Sequence, residues 1–375
     1  MIYFDNSATS FPKDTRVIDA MCKAYDRFGN PGRSGHAPSL AAAKAIYSCR
    51  ETIGRHYNVS PERVIFCPSA TFALNFAIKG LLRNKAATSK NSVVIISSLE
   101  HNSVYRPLYK LHKQGLIQLR IVNIDIASQS NALSEIRKAI CKNTILAVFT
   151  HASNVCGYIL PIYEIAKLTR KKKVPLIVDA AQSCGHIPMD VDSNDIDVLC
   201  LAAHKGIGAP FGTTAMILGK NCPDIEPIIE GGTGSISLSG KMPNFYPDKL
   251  EAGTQNAPAI HALETAVSLI DYNNQQAMAV YRFIKDEMLK MPLITLTGLS
   301  ENTLPVLLFN HNNIDSETVG ALLAKNSICV RGGFHCSPLA HKSLGTNKGG
   351  VRLSFSKYNT IEEAAIFINQ IKCLC

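Results

Sequence analysis

The chain has 375 residues, of which 46% are hydrophobic and 18% charged; such a chain buries a sizeable core in one large and one small domain, which excludes a peptide module, a disordered chain and a disulfide-stapled scaffold. Its net charge of +10 suits anionic small substrates or a polyanionic partner, and its twelve cysteines lack paired C-x2-C spacing, so reduced thiols in the cytoplasm and no metal site are expected. The opening Met1-Ile2-Tyr3-Phe4-Asp5 lacks the basic and apolar regions of a signal peptide, and no run reaches about 18 consecutive apolar residues, so neither secretion nor a membrane is expected.

From about Val64 to Leu218, apolar runs of strand length alternate with helical patterns, which argues for an α/β fold with a mostly parallel central sheet flanked by helices. The strands read as 64–66, 93–96, 118–122, 145–149, 176–178, 198–201 and 215–218, and several are nearly continuous in Val, Ile and Leu, as strands covered on both faces are. Helices fit between them, for example Thr71–Leu82 and Ser134–Cys141. The densest basic run, Arg170-Lys171-Lys172-Lys173, closes a helical pattern and has no interleaved aromatics. It reads as a helix end whose cations complement the dipole, and no nucleic-acid partner is expected. A long helical pattern from about Ala259 to Met291 then leads into shorter, mixed elements. The division is a large domain over 15–258 and a smaller α+β domain from 1–14 and 259–375. The terminal pair Cys373 and Cys375 reads as a frayed hydrophobic end.

Open α/β sheets bind ligands beyond the carboxyl ends of their strands, and four strands here end in polar residues. These are Glu100-His101-Asn102, His151-Ala152-Ser153-Asn154, Asp179-Ala180-Ala181-Gln182 and His204-Lys205. Lys205 follows a buried strand with no carboxylate nearby in sequence, and a desolvated lysine near other cations can form a Schiff base with an aldehyde cofactor. Asp179 ends an apolar strand, where its burial requires a cation such as a pyridinium nitrogen. Ser69-Ala70-Thr71, between a strand and a helix, offers hydroxyls and amides to a phosphate. Each alone fits an ordinary alternative equally: a surface lysine, a capping aspartate, a Ser/Thr helix cap.

Taken in order, Ser69-Ala70-Thr71, Glu100-His101-Asn102-Ser103, Ser153-Asn154-Val155, Asp179-Ala180-Ala181-Gln182, His204-Lys205, Glu251-Ala252-Gly253-Thr254, His335-Cys336 and Arg352 resemble the class V aminotransferase fold group. Within it the likeness is to the cysteine desulfurases and selenocysteine lyases, across nearly the whole chain. The resemblance implies the pyridoxal-phosphate-dependent transferase fold type I, with pyridoxal 5'-phosphate held in the large domain. Lys205 would carry the cofactor, Asp179 would pair its ring nitrogen and His101 would stack on its ring. Asn154 and Gln182 would contact its phenolic oxygen. Ala70, Thr71 and His204 would hold the phosphate, joined by Thr254 from the other subunit of a homodimer. Arg352 would take the substrate carboxylate, with Asn154 and Arg331 beside it. Ala202 stands where many relatives have a phosphate-binding hydroxyl, a gap for Ser69 or Ser183 to fill, and Phe334 stands where relatives often have a second histidine.

Cys336 lies in Arg331-Gly332-Gly333-Phe334-His335-Cys336-Ser337-Pro338, whose glycines and proline mark a loop, extending over about 331–350. Neighbouring Arg331 and His335 would favour its thiolate. The resemblance implies a short-loop cysteine desulfurase: L-cysteine becomes L-alanine, and Cys336 takes the sulfur as a persulfide for a dedicated sulfur-acceptor protein. The alternatives are an L-selenocysteine lyase or another lyase or transaminase of this fold, and, from a different class, a basic nucleic-acid-binding protein that retains the fold.

Overall fold

In the computed structural model, which describes residues 1–32, 34–83 and 91–374, the chain opens with strand β1 (Ile2–Tyr3) and helices α1 (Thr15–Tyr25) and α2 (Ala37–Tyr57). Then follow β2 (Val64–Cys67), α3 (Ala70–Arg83), β3 (Val93–Ser97), α4 (Asn102–Lys113), β4 (Gln118–Val122) and α5 (Gln129–Ala139). The central part continues with β5 (Thr144–Thr150), α6 (Ile162–Lys171), β6 (Leu176–Asp179), β7 (Val198–Cys200) and β8 (Thr214–Leu218). The remainder holds α7 (Ala257–Ser268), α8 (Gln275–Met288), β9 (Ile294–Thr297), β10 (Val306–His311), α9 (Ser316–Lys325), β11 (Ile328–Cys329), α10 (Pro338–Ser343), β12 (Val351–Ser354) and α11 (Ile361–Lys372).

Strands β2 to β8 form one seven-stranded sheet in the order β2-β8-β7-β6-β5-β3-β4. Its pairings are parallel except at β8, which runs antiparallel to both β2 and β7. The reason is local: residues 201–213, between β7 and β8, form turns and no helix, so nothing carries the chain back across the sheet for a parallel return. Val93, Val94, Ile95 and Ile96 of β3 are all buried, each contributing about 1.5–3 kcal/mol. At the other extreme, β4 is an edge strand with Gln118, Arg120 and Ile121 exposed.

The long helix expected over about 259–291 is two helices, α7 and α8, separated by residues 269–274. Short polar side chains there compete for the backbone. Asp271 Oδ1 accepts from Asn273 N–H at 2.9 Å, and Asn273 Oδ1 accepts from Gln275 N–H at 3.1 Å. Asn274 turns away to His186, donating to its carbonyl at 2.9 Å. Beyond the break, β12, β10 and β9 form an antiparallel sheet. Its core brings together Val280, Ile284, Phe309, Leu353 and Phe367 with Phe4 from the other end of the chain. Strand β1 pairs in parallel with β11 through Ile2 and Ile328, so the first residues join the last third of the chain.

Candidate active site

The polar strand ends converge. A cavity of about 200 Å³ at the carboxyl rim of the large sheet is lined by Thr71, His101, Asn154, Asp179, Gln182 and Lys205, together with Ser69, Ala70, Ala202 and His204. Asp179, the last residue of β6, is buried, and its Oδ1 accepts from Ala181 N–H at 2.9 Å. Burial raises its pKa, opposed by that N–H and by the charge of Lys205. Lys205 sits in the turn after β7, and among the described residues no carboxylate lies within ion-pair distance of it. Burial, with the charge of Arg352 next, lowers its pKa to about 8, while Asp179 pulls the other way.

Backbone contact fixes the turn that carries Lys205. A Cβ on Gly206 would stand 2.2 Å from the Cys184 carbonyl oxygen, and Gly185 has φ +81° with its own Cβ position 2.4 Å from the Gly206 backbone. Only residues without a Cβ let the turn after β7 press on the turn after β6, which brings Lys205 and Asp179 to one cavity.

His101 is the N-cap of α4. Its Nδ1 accepts from Ser103 N–H at 3.1 Å, which leaves the ring proton on Nε2. Burial and the charges of Lys205, Arg331, Arg352 and Arg106 lower its pKa to about 4, so the ring is neutral. His204 is likewise lowered to about 4, by burial and by Lys205 and Lys13. It stands 3.2 Å from Thr9 Oγ1 through Nδ1. At the start of α3, Ser69 and Thr71 both line the cavity, and Ser69 Oγ accepts from Phe72 N–H at 3.2 Å, the ordinary capping role. Of the two candidates to replace the hydroxyl missing at Ala202, Ser183 is displaced: it is buried outside this cavity and donates to Ala180 O at 3.4 Å. Thr254 also lies outside the cavity, exposed in a neighbouring hollow with Phe66, Phe72 and Gln255.

Two amides expected at a cofactor's phenolic oxygen have other partners. Asn154 donates through Nδ2 to the His335 carbonyl at 2.7 Å and accepts from Ser337 Oγ at 2.7 Å, and Gln182 Nε2 donates to Ser7 O at 3.1 Å. Arg352, on β12 and 2% exposed, already holds a carboxylate: its Nη2 donates to Asp5 Oδ1 at 2.7 Å. Its Nη1 donates to Asn154 O at 3.0 Å, and its Nε is buried without a partner. Arg331 pairs with Arg352 through the backbone.

Cys336 is exposed, and its carbonyl accepts from Asn102 N–H at 2.8 Å, at the start of α4 beside His101. His335 and Cys336 have φ of +53° and +57°, a left-handed backbone that costs about 1–3 kcal/mol at each non-glycine residue and is held by the Asn102 and Asn154 bonds. The expectation that His335 lends Cys336 a positive charge is corrected. Burial, then Arg352, lower its pKa to about 3, so the imidazole is neutral. Asp5, Thr9 and Lys13 are not among the candidates that the sequence suggests, although Asp5-Asn6-Ser7-Ala8-Thr9-Ser10 is a polar string directly after a strand. Lys13 Nζ donates to Ser10 Oγ at 2.8 Å and to the His204 carbonyl, and burial lowers its pKa to about 8.

No helix among the described residues is long and apolar enough to cross a membrane. A probable cysteine desulfurase of Methanothermobacter thermautotrophicus is 28% identical over 96% of this chain and 92% of its own. One of the same name from Pyrococcus abyssi is 29% identical over 99% and 94%. The apo structure of a cysteine desulfurase from Thermococcus onnurineus NA1 superposes with a TM-score of 0.90 at 28% identity, covering 100% of this chain and 94% of that one. A rim cavity with a lysine and a buried aspartate, and a fold shared end to end with such proteins, agree with the aminotransferase class-V family model, which matches residues 2–367; the chain belongs to that family.

Proposed function

We propose that the protein is a pyridoxal 5'-phosphate-dependent cysteine desulfurase that converts L-cysteine to L-alanine and takes the sulfur onto Cys336. The observation that carries this reading is the exposed Cys336, bonded through its backbone to Asn102 beside His101, while Asn154 holds the preceding His335 carbonyl; His101 and Asn154 both line the cavity that holds Lys205 and Asp179.

The donor set fits the cofactor. Lys205, with its pKa lowered to about 8, would bind the aldehyde carbon, and the buried Asp179 carboxylate would pair with the ring nitrogen. His101 would cover the ring face, and Asn154 and Gln182 would keep their remaining amide capacity for the phenolic oxygen. Ala70, Thr71 and His204, at the positive end of α3, would hold the phosphate, with Thr254 of a second copy completing it in a homodimer. When bound, pyridoxal phosphate supplies an electron sink for the substrate's α-carbon.

The chain's own groups do the rest. Arg352, with Arg331 and Asn154 beside it, takes the substrate carboxylate by exchanging its Asp5 contact for it, while Nη1 stays on the Asn154 carbonyl. Lys205 in its neutral form accepts the α-proton. The Cys336 thiolate attacks the substrate sulfur: an S–S bond forms, the C–S bond breaks, the β-carbon keeps the electron pair and takes a proton, and the α-proton held by Lys205 returns to the α-carbon before alanine leaves. A thiol-bearing acceptor then removes the persulfide sulfur.

The test is alanine and sulfide release from L-cysteine by the cofactor-loaded protein under reducing conditions. Cys336→Ala should stay yellow yet lose sulfur transfer by several orders of magnitude. If that variant desulfurates cysteine at the wild-type rate and mass spectrometry finds no persulfide at position 336, the reading fails and a lyase or transaminase replaces it.

A further inference from the structure

Three side chains beside Cys336 have no part in the mechanism above, namely His335, His341 and Thr346. His335 and His341 are both buried, and their rings lie edge to edge in planes 21° apart, with centroids 5.2 Å apart. Nδ1 of His335 is 3.0 Å from Nε2 of His341. At one end of this pair, His335 Nε2 is 2.9 Å from the Arg331 carbonyl oxygen, which can only accept, so that nitrogen carries a proton. At the other end, His341 Nδ1 is 2.8 Å from Thr346 Oγ1. Burial disfavours charge on both rings, joined by Arg352 and, at His335, by Arg331, and outweighs the backbone contacts with Arg331 at His335 and with Thr346 at His341 that favour it. A neutral imidazole has one donor and one acceptor, so the Arg331 carbonyl sets the direction as far as His341 Nδ1, which accepts from the nearer Thr346 Oγ at 2.8 Å; the His341 carbonyl, at 3.4 Å, is that hydroxyl's more distant alternative. Thr346 Oγ–H donates to His341 Nδ1, His341 Nε2–H donates to His335 Nδ1, and His335 Nε2–H donates to Arg331.

This chain reaches the cysteine loop from α10. Asn154 and Asn102 hold it from the large sheet's side, through the His335 and Cys336 carbonyls and Ser337 Oγ. The loop is therefore clamped between two sets of bonds at the two residues with left-handed backbone. Phe334 closes over the pair, its ring edge-on to His341 at 5.6 Å.

We propose that His341 is a positioning residue for sulfur transfer, holding His335 and thereby the Cys336 thiol in its reactive placement through a directed Thr346–His341–His335–Arg331 hydrogen-bond chain. The proposal rests on the reading of Cys336 as the sulfur-accepting nucleophile. Its role differs from that of a charge donor: the histidines orient the loop and add no positive charge to it.

The experiment compares His341→Leu and His341→Gln in the cofactor-loaded enzyme. Leucine removes the donor to His335, whereas glutamine keeps a donor near Nε2 and an acceptor for Thr346. His341→Leu should lower kcat for alanine formation from L-cysteine about tenfold to a hundredfold, with KM and the cofactor's absorbance nearly unchanged. The rate of Cys336 alkylation by iodoacetamide should shift with it, and His341→Gln should restore most of both. Thr346→Val, which leaves both rings in place, should give a smaller loss of kcat and covers the case in which His341→Leu does not fold. In the wild type, 15N spectra of the imidazoles should show both rings neutral with the proton on Nε2. Wild-type kcat and alkylation in His341→Leu or, if it does not fold, in Thr346→Val, no rescue by glutamine, or a ring protonated at Nδ1 at neutral pH would each overturn the proposal. Failure of the underlying reading shows separately, as alanine formation that survives Cys336→Ala.

Discussion

At the scale of single residues, environment decides which ionisable groups carry charge. Lys205 has its pKa lowered to about 8 by burial and Arg352, so about a tenth of it is neutral at pH 7, against ~0.03% of an ordinary lysine. Only the neutral amine attacks an aldehyde. Uptake of pyridoxal phosphate by the apoprotein, followed by absorbance, should therefore accelerate as pH rises to about 8 and then level off; a rate still climbing at pH 10 contradicts this, and Lys205→Ala should yield no borohydride-trapped adduct. Glu100 is the opposite case. It is fully buried, its Oε1 accepts from Thr150 N–H at 2.9 Å, and its Oε2 has no partner. Burial raises its pKa to about 8, with Asp179 adding to the rise. A folded pKa above the unfolded one gives stability that is full below the unfolded value, near 4.5, and is lost as pH rises through about 8. Glu100→Gln escapes this loss, so urea unfolding should show the wild type losing stability relative to the variant between those pH values. A constant difference across that range would mean that Glu100 is ionised throughout. Lys205 and Asp179 were legible as candidates because each ends an apolar run, whereas the neutrality of His335 was not, since it comes first from burial in the folded loop and then from Arg352 on β12.

At the scale of elements, the cysteine loop shows how glycine geometry sets a site. Gly349 has φ +83°, and a Cβ there would stand 2.8 Å from the Gly333 carbonyl oxygen, which accepts from Gly350 N–H at 3.1 Å. Gly349→Ala should shift the loop, cost about 1–3 kcal/mol and reduce sulfur transfer while the cofactor still binds, because no part of the Lys205 cavity touches it. Equal loss of cofactor and of activity would instead mean that the loop helps to build the cavity. The inner strands of the large sheet were readable because burial on both faces demands nearly continuous apolar runs; the edge strand β4, with Gln118 and Arg120 exposed, also falls where the sequence placed it but without such a run. The break between α7 and α8 was written in Asp271, Asn273 and Asn274, yet the apolar periodicity on either side masked it. The reversal of β8 was hidden as well, because an apolar run carries no direction.

At the scale of the whole molecule, the two ends of the chain meet at the site. Asp5, just past β1, pairs with Arg352 on β12, whose side chain is 2% exposed. Removing the carboxylate leaves a buried guanidinium without its counter-charge, so Asp5→Asn should lower stability by about 3 kcal/mol, read as a lower urea midpoint; an unchanged midpoint would mean that solvent or a bound anion replaces Asp5. The sequence by itself determined the α/β class and the rim of polar strand ends, and offered Lys205 and Asp179 as candidates, because local apolar pattern and turn chemistry specify where a chain enters and leaves a sheet; Cys336 stood out in a glycine- and proline-marked loop through the family resemblance. Tertiary structure alone decided that Asp5 neutralises Arg352, that Asn154 holds the cysteine loop and that His335 and His341 form one hydrogen-bonded pair. Those contacts join segments distant in sequence, and whether a buried polar group is charged, neutral or spent depends on which partner the fold brings within about 3 Å of it.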